Sequence, residues 1–292
     1  MSDIIASPST RRKALEKGVD LNTRAKELGR TTLGPEDLSA IVAPAASAGD
    51  TSYWDVDHSA YGPVTEEPMS RFAQVAARNL GAANALIPQV THHDRADVSA
   101  IERLRKTWRA EAEARGIKLT ALAFHVMALA QCLRDFPRFN ASLSPDGKVL
   151  VLKDYVHIGI AVDTPHGLMV PVIRNADRKG LWAISSEITD LATRAQARKI
   201  KPDEMGGASM TISNLGGIGG LGFTPIVNPP ELAILGITRT ETVTLWDGDT
   251  PRPVPMVPLD LSYDHRVING AEAARFTARC AGYIEIPQKM IV

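Results

Sequence analysis

Much of what this sequence says lies in what it withholds. Its 292 residues contain only two cysteines, Cys132 and Cys280, too few for a disulfide framework or a cysteine metal set. Lys and Arg together number 33, as do Asp and Glu, so the net charge is zero. Nucleic-acid binders and membrane-surface proteins usually carry a basic excess, and the balance argues against both. No apolar run approaches the roughly 18 residues of a membrane span. The opening MSDIIASPSTRRKALEKG lacks the apolar core of a signal peptide. These absences predict a cytoplasmic protein with reduced thiols. There is no H-E-x-x-H and no C-x-x-C, which makes a metal site unexpected, and no G-x-S-x-G, which excludes a nucleophile-elbow hydrolase.

What is present is ordinary in bulk: 44% apolar and 23% charged residues, in a chain long enough for one large domain and a small one. Residues 4–43 read as two short helices. The first has Ser7 as N-cap, Pro8 at the first helical position and Gly18 as its stop; the second runs from Pro35 through Val42. About forty residues is marginal for independent folding, which suits a docking module. Residues 44–52, within APAASAGDTS, form a flexible linker. From residue 53 to 292 the pattern is mixed. Helices are predicted over 70–84, 97–115, 119–136, 181–199 and 270–283. Strand-like stretches occupy the segment IPQVTHHDRAD, the region 149–173 and the run 208–264. Without a regular βαβ repeat, this predicts an α/β domain of the α+β kind, a mixed sheet covered by helices.

Several candidate sites have plain structural readings. Gly217, Gly219 and Gly222 have dinucleotide spacing, but Pro225, Pro229 and Pro230 exclude the helix that fingerprint needs, so GGIGGLG is read as a turn. His92 and His93 are neighbours on a strand, leave on opposite faces and cannot share a metal. His125, on the apolar helix 119–136, is expected to be a hydrogen-bonded core histidine. The stretch LSYDHRVING is harder to dismiss. Asn269 and Glu272 have the spacing of a capping box at a helix start. His265 lies at the strand-to-helix corner beside Asp264 and Arg266, where side chains project into clefts. An imidazole of ordinary pKa about 6.5 suits a general base at neutral pH, yet the residues alone leave chemistry and loop closure evenly matched.

DHRVING, taken with SMTISNLGGIGGLGFTPIVNPPELAILGITR, resembles the catalytic domain of the dihydrolipoamide acyltransferases of 2-oxo acid dehydrogenase complexes. The similarity extends through IPQVTHHDRADV, FPRFNASLSPDG and IGIAVDTPHGLMVPVIRNADRKG, over about residues 53–292, and is most like the bacterial pyruvate-complex type. The resemblance implies a chloramphenicol-acetyltransferase-like fold and acyl transfer between a dihydrolipoyl thioester and coenzyme A. In the family's H-x-x-x-D-G motif His265 and Gly270 match, while Asn269 replaces the acidic residue, as in some bacterial members. His265 then corresponds to the general base and Ser213 to the oxyanion donor. Arg71 is the candidate for the arginine that supports this corner in the related fold.

The first forty residues resemble the family's peripheral subunit-binding domain, with Arg11 and Arg12 at partner-contact positions and KELGRTT in place of the usual glycine-rich loop. The partners implied are a lipoyl-bearing carrier protein and the decarboxylase and dihydrolipoyl dehydrogenase components. No Asp-Lys pair marks a lipoylation hairpin, so the lipoyl group is expected from another polypeptide or from a part of the protein this sequence lacks. The family's site lies between subunits of a homotrimer, and trimers build a 24-subunit cubic core. Here Pro287 breaks the usual helical tail, leaving an apolar end for docking. Two alternatives stay open: a catalytically silent core subunit, and a free-standing acetyltransferase for a small hydroxyl or amine acceptor.

Overall fold

The computed structural model describes residues 4–16, 20–28, 30–34, 37, 55–165 and 167–291. The chain divides into two compact units, Met1–Glu67 and Pro68–Val292. The expected linker over 44–52 falls wholly outside the described residues, as does almost all of the helix expected from Pro35 through Val42.

In the first unit, strand β1 (Ile5–Ala6) leads into helix α1 (Pro8–Glu16), where the Ser7 hydroxyl accepts from the Thr10 amide at 3.1 Å. A second helix, α2 (Leu21–Leu28), was not expected from the sequence. Its start is nonetheless written in Asp20, whose carboxylate accepts from the Asn22 amide at 2.9 Å and the Thr23 hydroxyl at 2.8 Å; such a residue satisfies amides that the first turn leaves orphaned. Strand β2 (Thr32–Leu33) then pairs in parallel with β1. The KELGRTT stretch therefore spans the end of α2 and the start of β2. It is tied down by Asp37, which accepts from Arg30 at 2.5 Å and from the Gly34 amide at 2.8 Å.

The second unit begins with helix α3 (Arg71–Leu86), capped by the Ser70 hydroxyl on the Ala73 amide at 3.2 Å. Strand β3 (Gln89–Asp97) follows, then α4 (Ser99–Thr107) and α5 (Arg109–Ala114). The sequence predicts one helix across 97–115, but it breaks at Trp108, whose ring packs against Trp182 with centroids 6.0 Å apart. Helix α6 (Ala121–Asp135) is apolar nearly all round and buried along its length, as a central helix should be. Strands β4 (Ala141–Leu143) and β5 (Leu150–Leu152) pair as a hairpin. Then come β6 (Ile158–Ala161), β7 (Val172–Ile173), α7 (Leu181–Gln196), β8 (Met210–Asn214), β9 (Ala233–Ile237), β10 (Glu241–Asp247), β11 (Thr250–Asp264), α8 (Gly270–Glu285) and α9 (Gln288–Ile291).

Seven of these strands form one mixed sheet in the order β10-β11-β9-β8-β6-β7, with β3 also paired to β11. Strands β6, β8 and β9 run parallel to one another and the remaining pairings are antiparallel. Strand β11 is the spine. Its first half pairs with β10, and its second half lies between β3 and β9. Pro251, Pro253 and Pro255 alternate along the first half, so their missing N–H groups all fall on one side of the strand. There they cost no ladder bond and blunt an edge.

One face of the sheet is apolar. Leu259, Leu261 and Tyr263 of β11, Leu235 and Ile237 of β9, and Met210 and Ile212 of β8 join α6, α7 and α8 in one core. Phe139 and Phe276 stack at 4.1 Å, with Phe136 edge-on to both. The FPRFN turn thus locks the end of α6 onto α8. Cys132 and Cys280 are free and buried between these helices, and burial with the neighbouring thiol pushes the Cys132 thiol up. The C-terminal tail departs from expectation. After Pro287 it forms α9, and Met290 is 5% exposed within this same core, so that apolar side chain packs on its own chain.

The other face is polar. Thr91 meets Ser262 at 2.7 Å, His93 meets Asp260 at 2.6 Å, and Thr211 donates to Glu231 at 3.0 Å. Here Ala83 and Ile87, at the end of α3, pack with Val227 and Ile234 in a separate small cluster.

Candidate active site

His265 is the residue just past the end of β11. Its position is fixed by its neighbours. Asp264 is 1% exposed, and its carboxylate takes Nε of Arg266 at 3.0 and 3.1 Å, Nη2 at 2.6 Å and the Arg266 amide at 3.0 Å. The Asp264 carbonyl accepts from the amides of Val267 and Ile268 at 3.1 and 3.0 Å. A buried carboxylate held by a two-pronged guanidinium leaves the turn little freedom, and hydrogen bonding to Asp264 raises the pKa of Arg266. The His265 amide donates to the Pro88 carbonyl at 3.1 Å, pinning the corner to the entry of β3. The imidazole itself is exposed and lies 5.7 Å from the Tyr263 ring.

Asn269 completes the capping box that its spacing predicts. Its Oδ1 accepts from the Glu272 amide at 2.9 Å, while its own amide and Nδ2 donate to Glu272 Oε2 at 3.2 and 2.8 Å. Arg138, from the FPRFN motif, donates to the Val267 carbonyl at 2.8 Å and lies 3.5 Å from Glu272. The sequence reading missed Arg138 and placed Arg266 beside His265 without assigning its bond to Asp264. Each sits inside a quoted motif, but only the fold shows what it holds. Arg71 is exposed in the first turn of α3, and the arginine bound to Asp264 is Arg266. Gly270 opens α8, where an added Cβ would come within 3.8 Å of the Tyr263 hydroxyl.

Ser213 is half-buried near the end of β8, on the polar face. It is in register with Gly236 of β9, which is in register with Asp260 of β11. Two strand spacings and four residues of β11 therefore separate Ser213 from Asp264, a distance of about 17 Å. Serine and histidine are not brought together within one chain. A Cβ on Gly236 would fall 2.8 Å from the Phe223 ring, so glycine lets that ring lie on the sheet between Ser213 and Asp260. The GGIGGLG segment is a turn, with Gly220 at φ +91 and no helix after it. His93 is committed to Asp260, whose other oxygen accepts from the Phe223 amide at 3.1 Å.

Beside the Asp264–Arg266 pair lies a cleft of about 560 Å³, lined also by Leu86, Ile87, Asn228 and Glu231. Burial pushes the Glu231 carboxyl up to about 7, against the opposing hydrogen bond from Thr211 and the charge of Lys153. Lys153 is lowered by its own burial, with Glu231 opposing.

Residues 61–292 match the model for the catalytic domain of the 2-oxoacid dehydrogenase acyltransferases. The chain belongs to that family. Over 286 residues it is 46% identical to the dihydrolipoyllysine-residue acetyltransferase component of the pyruvate dehydrogenase complex of Pseudomonas aeruginosa, covering 94% of this chain and 52% of that one. It thus spans about half the length of the curated relatives it matches. Among solved structures it is similar to the dihydrolipoamide acetyltransferase of Azotobacter vinelandii, studied for the roles of a serine, a histidine and an asparagine in catalysis. That match has a TM-score of 0.80 and 47% identity over 81% of this chain and 98% of that one. An atomic structure of the cubic core of the pyruvate dehydrogenase multienzyme complex matches with the same scores and coverage. Within this acyltransferase family the mixed sheet, with its helix-covered apolar face, is the shared framework.

Proposed function

We propose that the chain is an acyltransferase that moves an acetyl group between a dihydrolipoyl thioester and coenzyme A. The observation that carries this reading is the fixed, exposed imidazole of His265 at the end of β11. Support comes from spacing. Ser213, His265 and Asn269 are separated along this chain as the serine, histidine and asparagine are in the Azotobacter enzyme. A thiol of pKa about 8.5 is mostly protonated at neutral pH, and the thiolate is the nucleophile. His265 takes the thiol proton as sulfur attacks the thioester carbonyl. The Ser213 hydroxyl donates to the oxyanion of the tetrahedral intermediate. Collapse breaks the original carbon–sulfur bond, and the departing thiolate takes the proton back from the imidazolium. Asn269 holds the start of α8 through Glu272 and, being uncharged, leaves the imidazolium without a carboxylate partner.

Because Ser213 stands about 17 Å along the sheet from Asp264, the residue before His265, in one chain, we assign the complete site to two subunits, one supplying histidine and its neighbour serine. A homotrimer meets that need, and the cubic core of a matched complex suggests the 24-subunit assembly. The lipoyl group arrives on another polypeptide or on a part of the protein outside this sequence. Residues 4–43 act as a docking module for the decarboxylase or dihydrolipoyl dehydrogenase component, in the cytoplasm. Within that module Arg11 already donates to the carbonyls of Ile4 and Ala6 at 2.7 and 3.2 Å, so Arg12 carries more of the recognition. The reading is tested by mixing. His265→Ala and Ser213→Ala chains, each nearly inactive with acetyl-coenzyme A and dihydrolipoamide, should regain activity when co-assembled. Mixed oligomers that stay inactive would refute the shared site.

A further inference from the structure

The row of residues that crosses the polar face through Ser213 contains a pair that the proposed chemistry leaves unused. His93 of β3, Asp260 of β11, Gly236 of β9 and Ser213 of β8 stand opposite one another in register. Nδ1 of His93 meets Asp260 Oδ1 at 2.6 Å, and Asp260 is 2% exposed. A carboxylate only accepts, so Nδ1 carries the proton, and the histidine side chain is otherwise 56% exposed. The other Asp260 oxygen accepts from the Phe223 amide at 3.1 Å. One buried carboxylate thus joins β3 to the end of the glycine-rich turn.

That turn leaves β8 directly after Ser213 and comes back beside it. Its first half is tied at the root. The Leu215 amide donates to the Ile237 carbonyl at 2.8 Å, the Gly216 amide to Asn214 Oδ1 at 2.9 Å, and the Ile218 and Gly219 amides to the Leu215 carbonyl at 2.9 and 3.0 Å. From Gly220 to Gly222 no backbone hydrogen bond forms among the described residues, and Gly220 has φ +91, a conformation that favours glycine. Asp260 is therefore what fixes the returning end. The fit around it is close. A Cβ on Gly222 would lie 3.3 Å from Asp260 Oδ1, and one on Gly236 would lie 3.2 Å from Asp260 Cβ and 2.8 Å from the Phe223 ring. Two glycines leave room for one carboxylate and the ring it anchors.

Ser213 depends on such an anchor. Its hydroxyl holds no partner among the described residues, so no hydrogen bond selects its rotamer. Side chains directly opposite on paired strands stand about 5 Å apart and pack on one another. Gly236, opposite Ser213, has no side chain, and the Phe223 ring takes that place. A hydrogen-bond donor to an oxyanion has its full effect only when it is aimed in advance.

We infer that Asp260, clasped by His93, is a positioning residue: it anchors Phe223, whose ring sets the direction of the Ser213 hydroxyl. The inference rests on the transferase reading for what Ser213 does, whereas the clasp is read from backbone protection without turnover. Both are measured on the full-length, assembled protein. In hydrogen exchange, Asp260→Ala should lose protection at the Phe223 amide and keep it along β8. In acetyl transfer its kcat should fall about 10-fold, with KM for acetyl-coenzyme A and dihydrolipoamide within about 2-fold, since a misaimed donor weakens the transition state and not substrate binding. In a Ser213→Ala background the same substitution should change kcat by less than about 2-fold, because a residue acting through the serine has nothing left to act on. His93→Ala should lower kcat in the same direction, and His93→Asn, whose Nδ2 can take the place of Nδ1, should restore it. That pair carries the test if Asp260→Ala does not assemble. Unchanged exchange at Phe223, equal losses of kcat in both serine backgrounds, or His93→Asn as slow as His93→Ala would each overturn the inference. Wild type that transfers no acetyl group would sink the transferase reading, and exchange at Phe223 alone would then decide the clasp.

Discussion

The two faces of the central sheet are built from the same strands on opposite principles. Toward α6, α7 and α8, the residues Met210, Ile212, Leu235, Leu259 and Leu261 give a dry core, stabilised by removing apolar surface from water. Toward the other side, Thr211, Ser213, Asp260, Ser262 and Asp264 point from the same strands, and all but Ser213 hold a specific partner: Glu231, His93, Thr91 and Arg266. The first face can tolerate a change of shape at a cost. The second is a set of specific pairs, and the proposed catalytic serine stands among them, with the histidine at its corner. A single sheet thus divides the labour: one side supplies stability, the other places polar groups at low conformational freedom.

The comparison breaks most visibly on the apolar side. Phe276→Ala removes the ring stacked on Phe139 and should cost about 3–5 kcal/mol in denaturant unfolding. A loss below about 1 kcal/mol would mean that the Phe136–Phe139–Phe276 cluster is not what joins α6 to α8. On the polar side the same test gives the opposite profile. Ser213→Ala should leave unfolding nearly unchanged and lower the rate of acetyl transfer about 10²- to 10³-fold, the worth of one oxyanion donor. A stability loss as large as that of Phe276→Ala would erase the distinction between the faces.

Two titrations sharpen it. His125 has a folded pKa near 4 against an ordinary 6.5, so the unfolded chain binds the proton more readily between those values. The associated stability is complete above about pH 6.5 and is lost as pH falls through 4, an effect of about 3 kcal/mol. His125→Leu should flatten that part of the acid limb in a pH series of unfolding curves; an unaltered limb would place the charge elsewhere. Glu231 runs the other way. Its folded pKa of about 7 lies above the ordinary 4.5, so its contribution is present below pH 4.5 and lost as pH rises through 7. Glu231→Gln should therefore raise the melting temperature at pH 8 by several degrees and leave it unchanged at pH 5. Equal shifts at both pH values would show that packing, not ionisation, is responsible.

The apolar face was legible in the sequence because its signal is periodic and local. The run 119–136 announces a buried helix, and the strands from 208 onward announce themselves by composition. The capping box at Asn269 and Glu272 was legible for the same reason, being a three-residue spacing. The polar face was not. His93 with Asp260 is a pair fixed only by strand register, and Thr211 with Glu231 is fixed by the loop that leads into β9. The helix breaks at Trp108, whose ring meets Trp182 more than seventy residues away, and no local pattern marks the break. His125 shows the limit most plainly: its place on a buried helix could be read, but the hydrogen bond expected for it is absent among the described residues. Helix α2 was a different kind of miss, since Asp20 supplied a local cap that went unused.

The central claim is that His265, held by the turn that Asp264 and Arg266 clamp, is the base for acyl transfer. The direct measurement is steady-state acetyl transfer between acetyl-coenzyme A and dihydrolipoamide by His265→Ala, with the oligomeric state checked in the same preparation. Removing a general base predicts a loss of at least about 100-fold with assembly intact. A correctly assembled variant that turns over at near wild-type rate would contradict the account.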